Sequence, residues 1–114
     1  MVFGFRGETL EAIKSKTFNK WFKNLPDNAQ DTVNDYIGRV LIGNTSHCKT
    51  LRNGVSEIVI NYQRGYRVYY TMLQNKTIIL LLAGGNKGGH GKGQNKDIDR
   101  AIMIKDYMKQ QGEI

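Results

Sequence analysis

The chain has 114 residues, 39% of them hydrophobic, and carries 17 Lys and Arg against 10 Asp and Glu, a net charge of +7. That size suits one domain, residues 1–114, with a modest core. The composition excludes a disordered chain, the longest apolar run is too short to span a bilayer, and a lone cysteine, Cys48, excludes an internal disulfide. The positive excess favours an anionic partner. Residues 1–8 lack the apolar core of a signal peptide, and with the single cysteine this makes a cytoplasmic protein the expectation.

In chain order, Thr9 to Ser15 alternates apolar and polar residues and is expected as a short edge strand. Thr17 is placed as the N-cap of a first helix. Phe18, Trp21, Phe22 and Leu25 follow at i, i+3, i+4 and i+7, one face of a helix that Pro26 stops. Asp27 opens a second helix, with Gln30 at the capping-box position. Val33, Tyr36, Ile37, Val40 and Leu41 keep the helical period, and Gly43-Asn44 ends it. The two helices read as an antiparallel hairpin whose apolar stripes need a sheet to cover.

A polar loop over residues 45–54 is expected next, then three strands with short links. Val55 to Tyr62 is β-branched, with Ile58, Ile60 and Tyr62 on one face. Gln63-Arg64-Gly65 turns the chain, Gly65 supplying positive φ. Tyr66 to Leu73 follows, with Tyr66, Val68, Tyr70 and Met72 facing one way and Arg67, Tyr69, Thr71 and Leu73 the other. Thr77 to Ala83 is apolar without alternation, so both of its faces should be covered, and it is taken as the central strand. A basic, Gly-rich segment, residues 84–96, leads to a last helix opened by Asp97, with Asp99 also in its first turn, and stopped by Gly112. The order strand-helix-helix-strand-strand-strand-helix defines an α+β fold, a small antiparallel sheet with the helical hairpin packed on one face.

Candidate chemistry concentrates on cations. The Gly-rich segment invites a phosphate-cradle reading. It is not a P-loop, because Asn86 stands where the first Gly belongs and Gly93 where a Ser or Thr would hold Mg²⁺. His47, Cys48 and His90 form no metal-ligand pattern, so neither a metal nor another cofactor is expected. Arg67, inside a strand, needs either an acidic partner such as Glu57 or an anionic ligand. Lys49, Arg52, Arg64, Arg67 and Lys87 fall at turns and strand positions that can converge on one sheet edge, interleaved with Tyr62, Tyr66 and Tyr69. Cations for phosphates and rings for bases are the combination RNA binders use. RNA brings its own nucleophile, the 2′-hydroxyl. A protein then has only to align it, stabilise the phosphorane charge and move protons.

The stretch Glu57-Ile58-Val59-Ile60-Asn61-Tyr62-Gln63-Arg64-Gly65-Tyr66-Arg67-Val68-Tyr69-Tyr70 resembles the signature of small RelE/HigB-like toxins of the RelE/ParE superfamily, the addiction module killer type. The Gly84-Gly85-Asn86-Lys87 block, Asn95-Lys96-Asp97-Ile98 and Phe18-Asn19-Lys20-Trp21-Phe22 resemble it too, so the likeness runs from Thr17 onward. It implies a RelE-like fold and the toxin of a type II toxin–antitoxin pair. It also implies a metal-independent endoribonuclease that cuts mRNA on the ribosome and is silenced by a cognate antitoxin. Arg67 matches the arginine that holds the scissile phosphate in such toxins, and Lys87 a basic loop position. His90, Gln94 and Lys96 stand as the nearest polar candidates at the start of the last helix, His90 and Lys96 among the catalytic ones, and Lys49, Arg52, Arg64, Tyr66 and Lys92 as RNA contacts. Glu57, Ile58 and Ile60 stand where some members carry lysines, and no tyrosine lies near the start of the last helix, so the general acid and base stay unassigned. The ParE-like branch, which inhibits DNA gyrase without nuclease activity, and a non-catalytic basic RNA-binding module are the alternatives.

Overall fold

A computed structural model describes residues 10–63, 65–84 and 92–114. Eight elements follow in order: β1 (Glu11–Lys14), α1 (Lys16–Lys23), α2 (Asp27–Leu41), β2 (Cys48–Thr50), β3 (Val55–Ile60), β4 (Tyr66–Met72), β5 (Thr77–Gly84) and α3 (Lys92–Gln110). The strands form one five-stranded sheet in the order β1-β5-β4-β3-β2. All neighbours are antiparallel except β1 and β5, which pair parallel with Glu11 opposite Thr77. The expected α+β fold and its hairpin layer are present, with two additions. Cys48–Thr50, expected as loop, forms an edge strand on β3, and α3 covers the second face of the sheet.

The two faces bury separate cores. On one, Phe18 of α1 and Val33, Ile37 and Val40 of α2 pack on Ile58, Ile60, Val68, Tyr70 and Ile78. On the other, Ile98, Ala101 and Met108 of α3 pack on Val55, Tyr69 and Leu82. Both faces of β5 are therefore covered, as its unbroken apolar sequence requires. In the sheet order β5 lies beside β1, with β4 at the middle.

Ile78 and Leu82 enter opposite cores although an even spacing along a regular strand keeps residues on one face. The reason is a register shift: Tyr69 pairs with Leu82 and the next residue, Tyr70, with Leu80. Leu81 is the extra residue of a β-bulge, which puts Ile78 and Leu82 on opposite faces.

Local caps differ from the expected ones. Ser15, not Thr17, caps α1, its hydroxyl accepting the Phe18 N–H at 3.0 Å. Pro26 rather than Asp27 occupies the N-cap of α2. Gln30 does not close a capping box: its side-chain amide donates backwards to the carbonyls of Phe22 (3.2 Å) and Leu25 (3.0 Å). It adds a second donor to the Phe22 carbonyl, which already takes the Leu25 N–H at 3.1 Å, and ties α2 to the end of α1. The last helix starts at Lys92, not Asp97, so Asp97 and Asp99 lie beyond its first turn. The β3–β4 turn is as expected, with Gly65 at φ +82° and its N–H on the Tyr62 carbonyl at 2.7 Å.

Candidate functional site

Cross-strand register fixes which side chains can meet. Lys49 lies opposite Glu57, Glu57 opposite Tyr69, and Tyr69 opposite Leu82, one row across the sheet on the face that α3 covers. Arg67 lies in the next row, opposite Val59 and Gly84. Alternation along β4 puts Arg67 and Tyr69 on this same face.

Here Arg67 meets an acidic partner from the fold. Its Nε lies 3.6 Å from Glu57 Oε1, the side chains being 15% and 2% exposed. The α3 residue Gln94 donates its Nε2–H to the same Glu57 oxygen at 3.3 Å. A carboxylate so deep in the protein needs charge and hydrogen-bond compensation, and two elements supply it. The Tyr69 hydroxyl, buried beside this pair, has no hydrogen-bond partner among the described residues. Burial, and then the negative charges of Glu57 and Asp97, push its ionisation well above the usual tyrosine range, with Arg67 opposing. Tyr69 is thus a neutral hydroxyl at physiological pH, holding its proton and able to donate a hydrogen bond.

The rim of the site carries more charge. Arg52, in the β2–β3 turn, pairs with Asp99 of α3, and both are exposed. Lys105 donates to the carbonyl of Asn53 in the same turn, so α3 is tied along its length to the sheet. Lys49 and Lys96 are exposed, on β2 and α3. Among the described residues no group of three or more His, Cys, Asp or Glu is placed to hold a metal ion.

The structure brings Arg67, Lys49 and Arg52 to one face of the sheet, the face on which α3 carries Lys96. It sets Tyr66 apart: its ring meets Trp21 edge-on at 5.8 Å on the hairpin face, opposite to Arg67. Tyr69, fully buried, offers no open ring for a base. Arg64, Lys87 and His90 lie outside the described residues, as does the side chain of Lys92 at the head of α3. Glu57 takes the place expected of an acidic partner for Arg67, and Gln94, a polar candidate by sequence, meets it from α3. The signal for Glu57 was present: a lone acid in a strand whose other positions are mostly β-branched, on the same face as Val55.

This arrangement of sheet, hairpin and covering helix is similar to that of RelE toxins. The free Escherichia coli toxin RelE, solved as a doubly substituted form, superposes with a TM-score of 0.60 at 14% identity, covering 81% of this chain and 97% of that one. The Mycobacterium tuberculosis toxin–antitoxin complex RelBE2 contains a chain with a TM-score of 0.55 at 18% identity, covering 66% of this chain and 95% of that one. The chain itself belongs to the phage-derived Gp49-like protein family (DUF891), whose model matches residues 20–106. A Haemophilus influenzae relative, described as an uncharacterised protein, is 33% identical over 97 residues, 84% of this chain and 93% of its own length.

Proposed function

We propose that this protein is the toxin of a type II toxin–antitoxin pair, a cytoplasmic, metal-independent endoribonuclease that cuts mRNA on the ribosome and is neutralised by a cognate antitoxin. The observation that carries the reading is Arg67, paired with Glu57 on the sheet face that also carries Lys49 and Arg52, in a fold similar to RelE. In this mechanism the RNA 2′-oxygen attacks the adjacent phosphorus, the 5′-oxygen leaves, and a cyclic phosphate remains. Arg67 takes the phosphorane charge, which preorganised cations do best where water is excluded. Glu57, buried beside it, orients the guanidinium, while Lys87, His90 and Lys96 are the candidates for taking the 2′-proton and for protonating the leaving oxygen. Lys49, Arg52, Arg64 and Lys92 would hold flanking phosphates, while Tyr66 packs on Trp21 on the other face and would not reach them.

One observation favours a second reading. Arg67 is largely buried and faces Glu57, as in a structural ion pair. A toxin of the same fold acting on a protein target such as gyrase needs no exposed arginine here.

Primer extension on cellular mRNA after brief induction separates the two. Codon-phased cuts made by the wild type and absent in a folded Arg67→Ala variant support the nuclease. Growth arrest without cuts supports the protein-target reading. Cuts that persist in Arg67→Ala remove Arg67 from the site.

A further inference from the structure

At the other end of α3 the same sheet face is open. Among the described residues, three of the five exposed large apolar side chains, Ile13 (45%), Met103 (68%) and Tyr107 (60%), lie together. With Ile104 and Met108 they line a groove of about 610 Å³ between β1 and α3. Exposed apolar clusters of this kind mark docking surfaces.

The groove adjoins a sheet edge. β1 is the outermost strand on this side, and its Glu11 N–H bonds inward to the Lys76 carbonyl of the turn before β5. Backbone groups alternate in direction along a strand, so the amides of Ala12 and Lys14 point away from β5. Side chains alternate as well: Ala12 packs with the hairpin core, and Lys14 places Nζ over the Phe22 ring on that side. Ile13 therefore stands on the α3 face, in the groove. A strand laid along β1 would bond to residues 12 and 14 and send every second side chain into the groove beside Ile13. The side chains between would face Lys14.

Charge selects the occupant. Lys14 and Lys16 flank the groove, against Glu113 alone, on a chain of net charge +7. A second copy of this chain would bring the same excess of positive charge to the contact, whereas an acidic segment is attracted. We propose that β1 and the groove receive one strand of the cognate antitoxin, with apolar side chains at alternate positions and acidic ones between them. This rests on the toxin–antitoxin reading above.

The test uses the full chain and the protein encoded beside it, co-expressed and purified. Amide exchange is followed on the isotopically labelled chain with and without that protein, and affinity is measured for the wild type and for Met103→Glu/Tyr107→Glu. Both substituted side chains are exposed, and circular dichroism checks the fold. The expected result is at least tenfold slower exchange at Ala12 and Lys14 in the complex, and affinity at least 100-fold weaker in the variant. Equal binding by wild type and variant, or β1 amides that exchange unchanged in the complex, overturns the docking while leaving the toxin reading intact. A wild-type dimer that the double substitution dissociates gives the groove to a second copy and overturns it too. No binding by the wild type overturns the toxin–antitoxin reading, and the docking with it.

Discussion

Arg67 and Glu57 stand diagonal to each other on β4 and β3, 3.6 Å apart, and the acid is the more deeply buried of the two. Removing only the arginine strands a buried carboxylate, which costs about 3–5 kcal/mol. Replacing both, as in Glu57→Gln/Arg67→Met, leaves no uncompensated charge. Urea unfolding should show Arg67→Ala less stable by about 3 kcal/mol and the double variant recovering most of that loss. Equal losses in the two proteins would mean that the pair contributes little. This also bears on the RNA assay, because Arg67→Ala must be shown to be folded before a loss of cutting is assigned to chemistry.

Alkaline pH reports on the buried tyrosines. Tyr69 and Tyr70 both have ionisation raised above the ordinary value of 10.0, burial being the largest cause in each. The unfolded chain releases these protons as pH passes 10 while the folded chain retains them, so the unfolded state is favoured as pH rises. Their stabilising contribution is complete below pH 10 and declines above it, by about 1.4 kcal/mol per pH unit for each tyrosine. Tyr69→Phe should flatten the decline. It should also leave stability at pH 7 unchanged or slightly higher, because the lost hydroxyl has no partner among the described residues. Chemical denaturation between pH 8 and 11 measures both.

The helical hairpin has two separable fastenings. Ser15→Ala removes the oxygen that receives the Phe18 N–H and should destabilise by about 1 kcal/mol. Gln30→Ala strips the amide from the Phe22 and Leu25 carbonyls and should lower stability by a similar amount, on the order of 1 kcal/mol. The sites lie at opposite ends of α1, so the double variant should lose close to the sum. Thermal unfolding of the three variants checks it.

Two glycines offer a controlled comparison. Gly43 has φ +95° with nothing within 4 Å of a built Cβ, while Gly54 has φ +76° and a Cβ there would lie 2.9 Å from Lys105 Nζ. Gly43→Ala should show the backbone penalty alone, about 1–2 kcal/mol. Gly54→Ala should add the displacement of Lys105, which now ties α3 to the Asn53 carbonyl. If denaturation finds both variants equally destabilised, the Lys105 tie contributes nothing.

Most of the architecture was legible because periodicity is a strong signal. The stripe Phe18, Trp21, Phe22, Leu25 and the unbroken run Thr77 to Ala83 each fixed an element and its burial. What escaped was set by few residues or by tertiary contact. Cys48-Lys49-Thr50 has no apolar pattern and becomes a strand only because β3 offers it an edge. Lys92-Gly93-Gln94-Asn95 looks like loop because it continues a glycine-rich run and carries Gly93, yet it starts α3, and Gln94 there reaches Glu57. Ser15 was hidden as a cap because it ends a strand-like stretch. At the candidate site, Glu57 was visible as one possible partner for Arg67. Sequence alone could not choose between it and a ligand, since the choice depends on Gln94 of a helix 37 residues beyond Glu57 in the chain.

The first described strand pairs in parallel with the last, Glu11 beside Thr77. During synthesis the hairpin and the β3–β4 pair can form as they leave the ribosome, but β1 has no neighbour until β5 has emerged. The edge is therefore the last part of the sheet to be completed, and α3 can close over Arg67 and Glu57 only after that. A nascent chain that stops short of β5 cannot present this site: the sheet that aligns these groups exists only once Thr77–Gly84 has emerged.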